Sequence, residues 1–138
     1  MTQRISRAAA AVLTATAVYV GGWAGLFPHS FYDDFPGLNR YWVSVDGPYN
    51  EHLVRDVGGL YLALALAGVL ALLWRDRRSM VMLGAAWAIF SALHLGYHLD
   101  HLGALDSTVD KVGEVAALSL SLVLALVLLL TPRSAERR

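Results

Sequence analysis

Four apolar stretches, 8–27, 57–74, 80–97 and 112–131, dominate this chain of 138 residues. Each is 18 to 20 residues long. An α-helix rises about 1.5 Å per residue, so about 20 apolar residues cross the hydrocarbon core of a bilayer. Helices apolar on every side leave no wetted face, which a soluble bundle needs. The predicted fold is therefore all-α: an integral membrane four-helix bundle, antiparallel and up-down. Its helices are expected at 8–27, 50–74, 79–101 and 108–131, within a single transmembrane domain spanning 1–138. Residues 28–49 form the one long loop, placed between helices 1 and 2 on the extracytoplasmic side.

The charges predict the orientation. Arg4 and Arg7 precede the first stretch, Arg75, Arg77 and Arg78 fill the turn between the second and third, and Arg133, Arg137 and Arg138 follow the fourth. Arginine collects on the cytoplasmic side of membrane helices. Both termini are then expected in the cytoplasm of a multi-pass cell-membrane protein. The opposite side receives every histidine and most carboxylates, including Asp33, Asp34, Asp46, Asp56, Asp110 and Glu114. Formal net charge is zero, so the footprint of a nucleic-acid binder is missing. With no cysteine, disulfides, thiolate metal sites and cysteine nucleophiles are excluded.

Two features lie in and after the first stretch. Its Arg-containing start and Ala15-Thr16-Ala17 fit a cleaved signal peptide, but the apolar run continues to Phe27, which favours a retained helix. Gly21 and Gly25 form a GxxxG pair that lets helix backbones approach, so this face is expected to pack on protein. The loop carries Phe31, Tyr32, Phe35, Tyr41, Trp42 and Tyr49. Such residues suit either an interfacial belt or a lid over the bundle mouth.

The chemistry is expected around His94, His98 and His101. They recur at i, i+4 and i+7 and share one helix face. Ionisable groups at membrane depth are costly and mark function. His52 and Asp56 are i, i+4 at the start of the second helix, with Gly59 next on that face to admit a neighbour. Glu51 and Arg55 are placed for a helical ion pair. Ser107 with Asp110 resembles a capping box, and Glu114 lies about a turn into the fourth helix. Antiparallel packing is expected to gather His52, Asp56, His94, His98, His101 and Glu114 into one polar pocket. Imidazoles and carboxylates projecting inward from several helices suit iron, zinc, copper or manganese. Arg55 and Tyr97 stand beside this set as candidate cofactor-binding residues.

The run Phe31-Tyr-Asp-Asp-Phe-Pro-Gly37, with Arg40-Tyr-Trp-Val43 and 47–60, resembles small four-helix membrane proteins of actinobacterial type, similar in layout to DoxX-like proteins. The resemblance implies a four-helix membrane fold and carries over no catalytic residue.

Three functions are open at this stage. The leading one is a metal-binding membrane protein, acting as an oxidoreductase on a lipophilic or quinone-like small molecule. The second is a non-enzymatic accessory or scaffold subunit, with a structural His/acid cluster and a GxxxG face for a partner helix or a second copy. The third is a bis-His haem electron carrier, which requires His52 opposite a histidine of the third helix. The lipid bilayer is a partner in all three, and nucleic acid in none.

Overall fold

The computed structural model describes residues 3–130. Five helices account for most of them: α1 (Gln3–Leu26), α2 (Pro28–Asp34), α3 (Glu51–Trp74), α4 (Arg77–His101) and α5 (Thr108–Leu129). The four long ones are each long and apolar enough to cross a membrane. The all-α expectation stands, with one addition. The connection 28–49 is not a plain loop, because α2 occupies its first third. Pro28 at the first turn supplies a preset φ and lacks only an N–H that would be orphaned there anyway. Beyond α2, Pro36–Gly37 (β1) pairs antiparallel with Arg40–Tyr41 (β2). Leu38 and Asn39 link them, both with left-handed φ of 61° and 57°. Positive φ at both central residues is the two-residue hairpin turn whose twist matches the flanking strands. Pro132 and the arginines at 133, 137 and 138 lie outside the described residues.

The helix starts follow from local chemistry. The Asn50 side chain accepts the Leu53 N–H at 3.2 Å, and that of Asp76 accepts the Ser79 N–H at 3.0 Å. The Ser79 N–H and hydroxyl together hold the Asp76 carboxyl below its ordinary range. Arg75 adopts left-handed φ of 58°, ending α3 and letting α4 begin two residues later. The predicted capping box at α5 is half formed: Ser107 Oγ accepts the Asp110 N–H at 3.4 Å, while the Asp110 carboxylate is used elsewhere.

The long helices associate chiefly in two pairs, α1 with α3 and α4 with α5. Small residues set both contacts. On α1, a Cβ at Gly21 would lie 2.8 Å from the Leu62 backbone nitrogen. Gly25 faces Gly58, where an added Cβ would meet the Gly25 Cα at 2.7 Å. The GxxxG face is therefore consumed inside the chain and is not left for a partner helix. Gly58, not the expected Gly59, makes the close approach, since a Cβ at Gly59 meets nothing within 4 Å. In the second pair, Gly84 of α4 sits against Leu128 and Ala125 of α5.

The core runs along α1 through Ala10, Leu13, Ala17 and Ala24, all fully buried, and is closed by Trp87 and Leu128. Its polarity pattern is inverted relative to a soluble bundle. Leu60, Leu66, Leu73, Met82, Ile89 and Leu93 are all more than half exposed on the outer faces. Contiguous apolar surface on this scale fits contact with lipid. At one end of the bundle, Arg7 of α1 meets Arg75 and Arg77 around a small cleft. The connection 28–49 covers the other end.

Candidate functional site

Between the two helix pairs, under the covered end, lies a cavity of about 470 Å³. Ligand pockets commonly span about 300–1,000 Å³. All four long helices and the connection contribute to its wall. Val20 comes from α1, Val57 and Tyr61 from α3, Phe90 and His94 from α4, and Leu118 from α5, while Phe35 and Trp42 close it from above. The lining is overwhelmingly apolar.

The polar exception is a pair. His98 Nδ1 lies 3.0 Å from Glu114 Oε1, joining α4 to α5. Glu114 is only 4% exposed overall, and the His98 side chain 12%. A carboxyl held away from water needs such a partner, because an unpaired buried charge costs several kcal/mol, roughly. The His94 ring stacks on Phe90 with centroids 5.1 Å apart and stands edge-on to His98 at 4.6 Å. Its nitrogens make no hydrogen bond among the described residues. Deeper in α4, Trp87 Nε1 and Ser91 Oγ are buried and, among the described residues, have no hydrogen-bond partner.

The remaining predicted ligands are elsewhere. His52 and Asp56 pair with each other, Nε2 to Oδ2 at 3.3 Å, and their side chains are 88% and 59% exposed. His101 stacks on Tyr97 at 4.1 Å, and its Nδ1–H donates to the Tyr97 carbonyl oxygen at 2.8 Å. Arg55 bonds to Glu51, as its i, i+4 spacing predicts, and to the Gly25 carbonyl oxygen. It does not line the cavity, whereas Tyr97 does. Of the six expected ligands, the cavity thus brings together His94, His98 and Glu114 and leaves out His52, Asp56 and His101.

The metal-site expectation is accordingly corrected. Among the described residues, no group of three or more His, Asp or Glu side chains is placed to hold a metal ion. One reason is axial rise: His94 and His101 share a face but stand about 10.5 Å apart along the helix, and His101 is satisfied by its own helix backbone. The other is that His52 and Asp56, at the start of α3, pair with each other on an exposed face and do not line the cavity. The oxidoreductase assignment rested on that metal and falls with it. The bis-His pairing for haem is not formed either, because His52 lies on the exposed face.

The structure gives several residues roles that their sequence pattern did not assign. Arg40 and Trp42 both bond to Asp110 Oδ1, the indole N–H at 2.9 Å. The Trp42 ring rests on Gly113, one turn further along α5. These contacts tie the connection to the start of α5, directly above the His98–Glu114 pair. Tyr32 O–H donates to the Gly47 carbonyl at 2.6 Å, and Tyr19 O–H to the Pro36 carbonyl at 3.2 Å. Asp46, Tyr61 and Ser121 also enter the lining. The Asp110/Gly113 spacing on one helix face, opposite a loop rich in aromatics, was the available signal for the Trp42 seat. No protein-family model, curated protein or solved structure matches the chain.

Proposed function

We propose that this chain is a membrane-embedded binding protein for a lipophilic small molecule. The molecule occupies the cavity between the α1/α3 and α4/α5 pairs, with its polar end at the His98–Glu114 pair. The observation that carries the reading is the cavity itself: about 470 Å³ of largely apolar space inside four apolar helices, with one buried His–Glu pair in its wall. Apolar surface binds by removal from water or lipid contact, and few polar groups then set orientation. The Arg40–Asp110–Trp42 contacts hold the cover over the ligand. In the proposed topology the arginine-rich end, with Arg4, Arg7, Arg75, Arg77 and Arg78, faces the cytoplasm, and the covered end faces outward.

The test is native mass spectrometry of protein released from nanodiscs made directly from the producing membrane. Wild type is expected to carry a small lipophile at one per chain. Val57→Trp, which fills the cavity from α3, is expected to lose it while keeping its helical content. A wild type that carries nothing, or a Val57→Trp protein that carries as much, would refute the reading.

A further inference from the structure

The proposed cavity also has a sign. Its ionisable lining consists of Glu114, Asp46, His94 and His98, and among the described residues no Lys or Arg contributes to the wall. The Arg40 guanidinium is committed to Asp110 and is not part of the lining. Seven aromatic side chains, Trp42, Tyr61, Phe90 and Tyr97 among them, share the wall with the acids. Ring faces carry negative quadrupolar potential and attract cations, most strongly where water is excluded. The Glu114 carboxylate places one oxygen against His98, and among the described residues no hydrogen bond occupies the other. An anion entering this space would meet two carboxylates and no Lys or Arg, and the nearer of the two histidines to Glu114, His98, is already paired with it. A cation would meet two carboxylates and a set of ring faces.

Building on the binding reading above, we propose that the ligand class is a lipophilic monocation: a bulky or alkylated ammonium-type molecule whose charge sits against Glu114 and whose apolar groups contact the aromatic wall. Glu114 supplies the attraction from inside the bundle, and Asp46, at the covered end, adds a second negative charge near the mouth. A neutral lipophile would gain the apolar contacts alone. The charged one gains the carboxylate interaction in addition, in a site where low dielectric strengthens it.

A matched pair of probes tests the sign directly. Tetraphenylphosphonium and tetraphenylborate have nearly the same shape and opposite charge. Each is measured by equilibrium dialysis against the full chain in phosphatidylcholine nanodiscs, with empty nanodiscs subtracted. Tetraphenylphosphonium is expected to bind saturably, one per chain, at least tenfold tighter than tetraphenylborate. Glu114→Gln keeps the side-chain shape and is expected to weaken phosphonium binding at least tenfold. Asp46→Asn, an exposed position that puts the fold at no risk, is expected to weaken it a few-fold. Borate binding as tight as phosphonium binding, or phosphonium binding unchanged in both variants, would overturn the proposal. If neither probe binds while wild type still carries a lipophile lost in Val57→Trp, the charge preference is wrong and the cavity reading survives. If neither probe binds and nothing is carried, both fail.

Discussion

The α1–α3 contact offers a sharp test, because two adjacent glycines on α3 are predicted to behave oppositely. A methyl group added at Gly58 would sit 2.7 Å from the Gly25 Cα and 2.9 Å from the Ala24 carbonyl carbon, where ordinary contact begins at 3.4 Å. Both obstacles are backbone, so no rotamer change relieves them, and α1 must move outward by about 0.7 Å or more. Overpacking a well-packed contact costs about 1–3 kcal/mol. Replacing glycine by alanine within a helix returns about 0.5–1 kcal/mol. Gly58→Ala is therefore expected to be destabilised by roughly 1–2 kcal/mol, the difference between the two effects. At Gly59 nothing lies within 4 Å of the new methyl. Only the helix-propensity gain applies there, so Gly59→Ala is expected to match or slightly exceed wild type. The assay is unfolding in mixed micelles with rising dodecyl sulfate, followed by far-ultraviolet circular dichroism. Equal stability of the two variants would refute the packing argument, and a less stable Gly59→Ala would reverse it.

Three further expectations follow from the same geometry. His98→Ala leaves the Glu114 carboxylate buried without its partner and should cost about 3 kcal/mol or more, whereas joint replacement by His98→Phe and Glu114→Leu should recover most of that loss in the same unfolding assay. Asp110→Ala releases both Arg40 and Trp42, so trypsin cleavage after Arg40 should accelerate and tryptophan emission should shift to the red; unchanged cleavage would show that the cover is held by other contacts. The Asp76 carboxyl is depressed by the Ser79 N–H and hydroxyl, so its contribution is present at neutral pH and is lost as acid protonates it through that lowered value. Stability of wild type should thus fall across the acidic range more steeply than that of Asp76→Asn, which keeps a capping side chain but cannot titrate.

How far the amino-acid pattern reached can be seen residue by residue. Four long apolar helices were readable from hydropathy, since a bilayer imposes a length and a polarity on any helix that crosses it, although α1 begins at Gln3, five residues before its expected start at residue 8. The N-cap at Ser107 and the Glu51–Arg55 pair were readable because they are local, decided within one turn. The Gly21/Gly25 pair was readable as a packing face, though not its target: α3 presents Gly58 rather than Gly59, and a rotation of one residue, about 100°, separates them. The helix α2 was hidden among the aromatics and breaking residues of 28–49.

The histidines show the same division. Their spacing placed His94, His98 and His101 on one face, and that face does meet α5 at Glu114. Whether three rings aim at one point depends on the relative rotation and splay of α3, α4 and α5, to which no local pattern is sensitive. His101 found its own backbone, and His52 found Asp56 four residues away.

Sequence by itself determined that this chain is a set of four membrane-length helices with Arg4, Arg7, Arg75, Arg77 and Arg78 at one end and its histidines at the other, because hydrophobic length and charge placement act on each segment separately. Only the tertiary structure decided that α1 pairs with α3 and α4 with α5, that the expected ligand set is divided between a buried pair and an exposed one, and that a largely apolar cavity lies between the pairs. Those outcomes depend on which small residues on different helices come into register, a property of the assembled bundle and not of any one span.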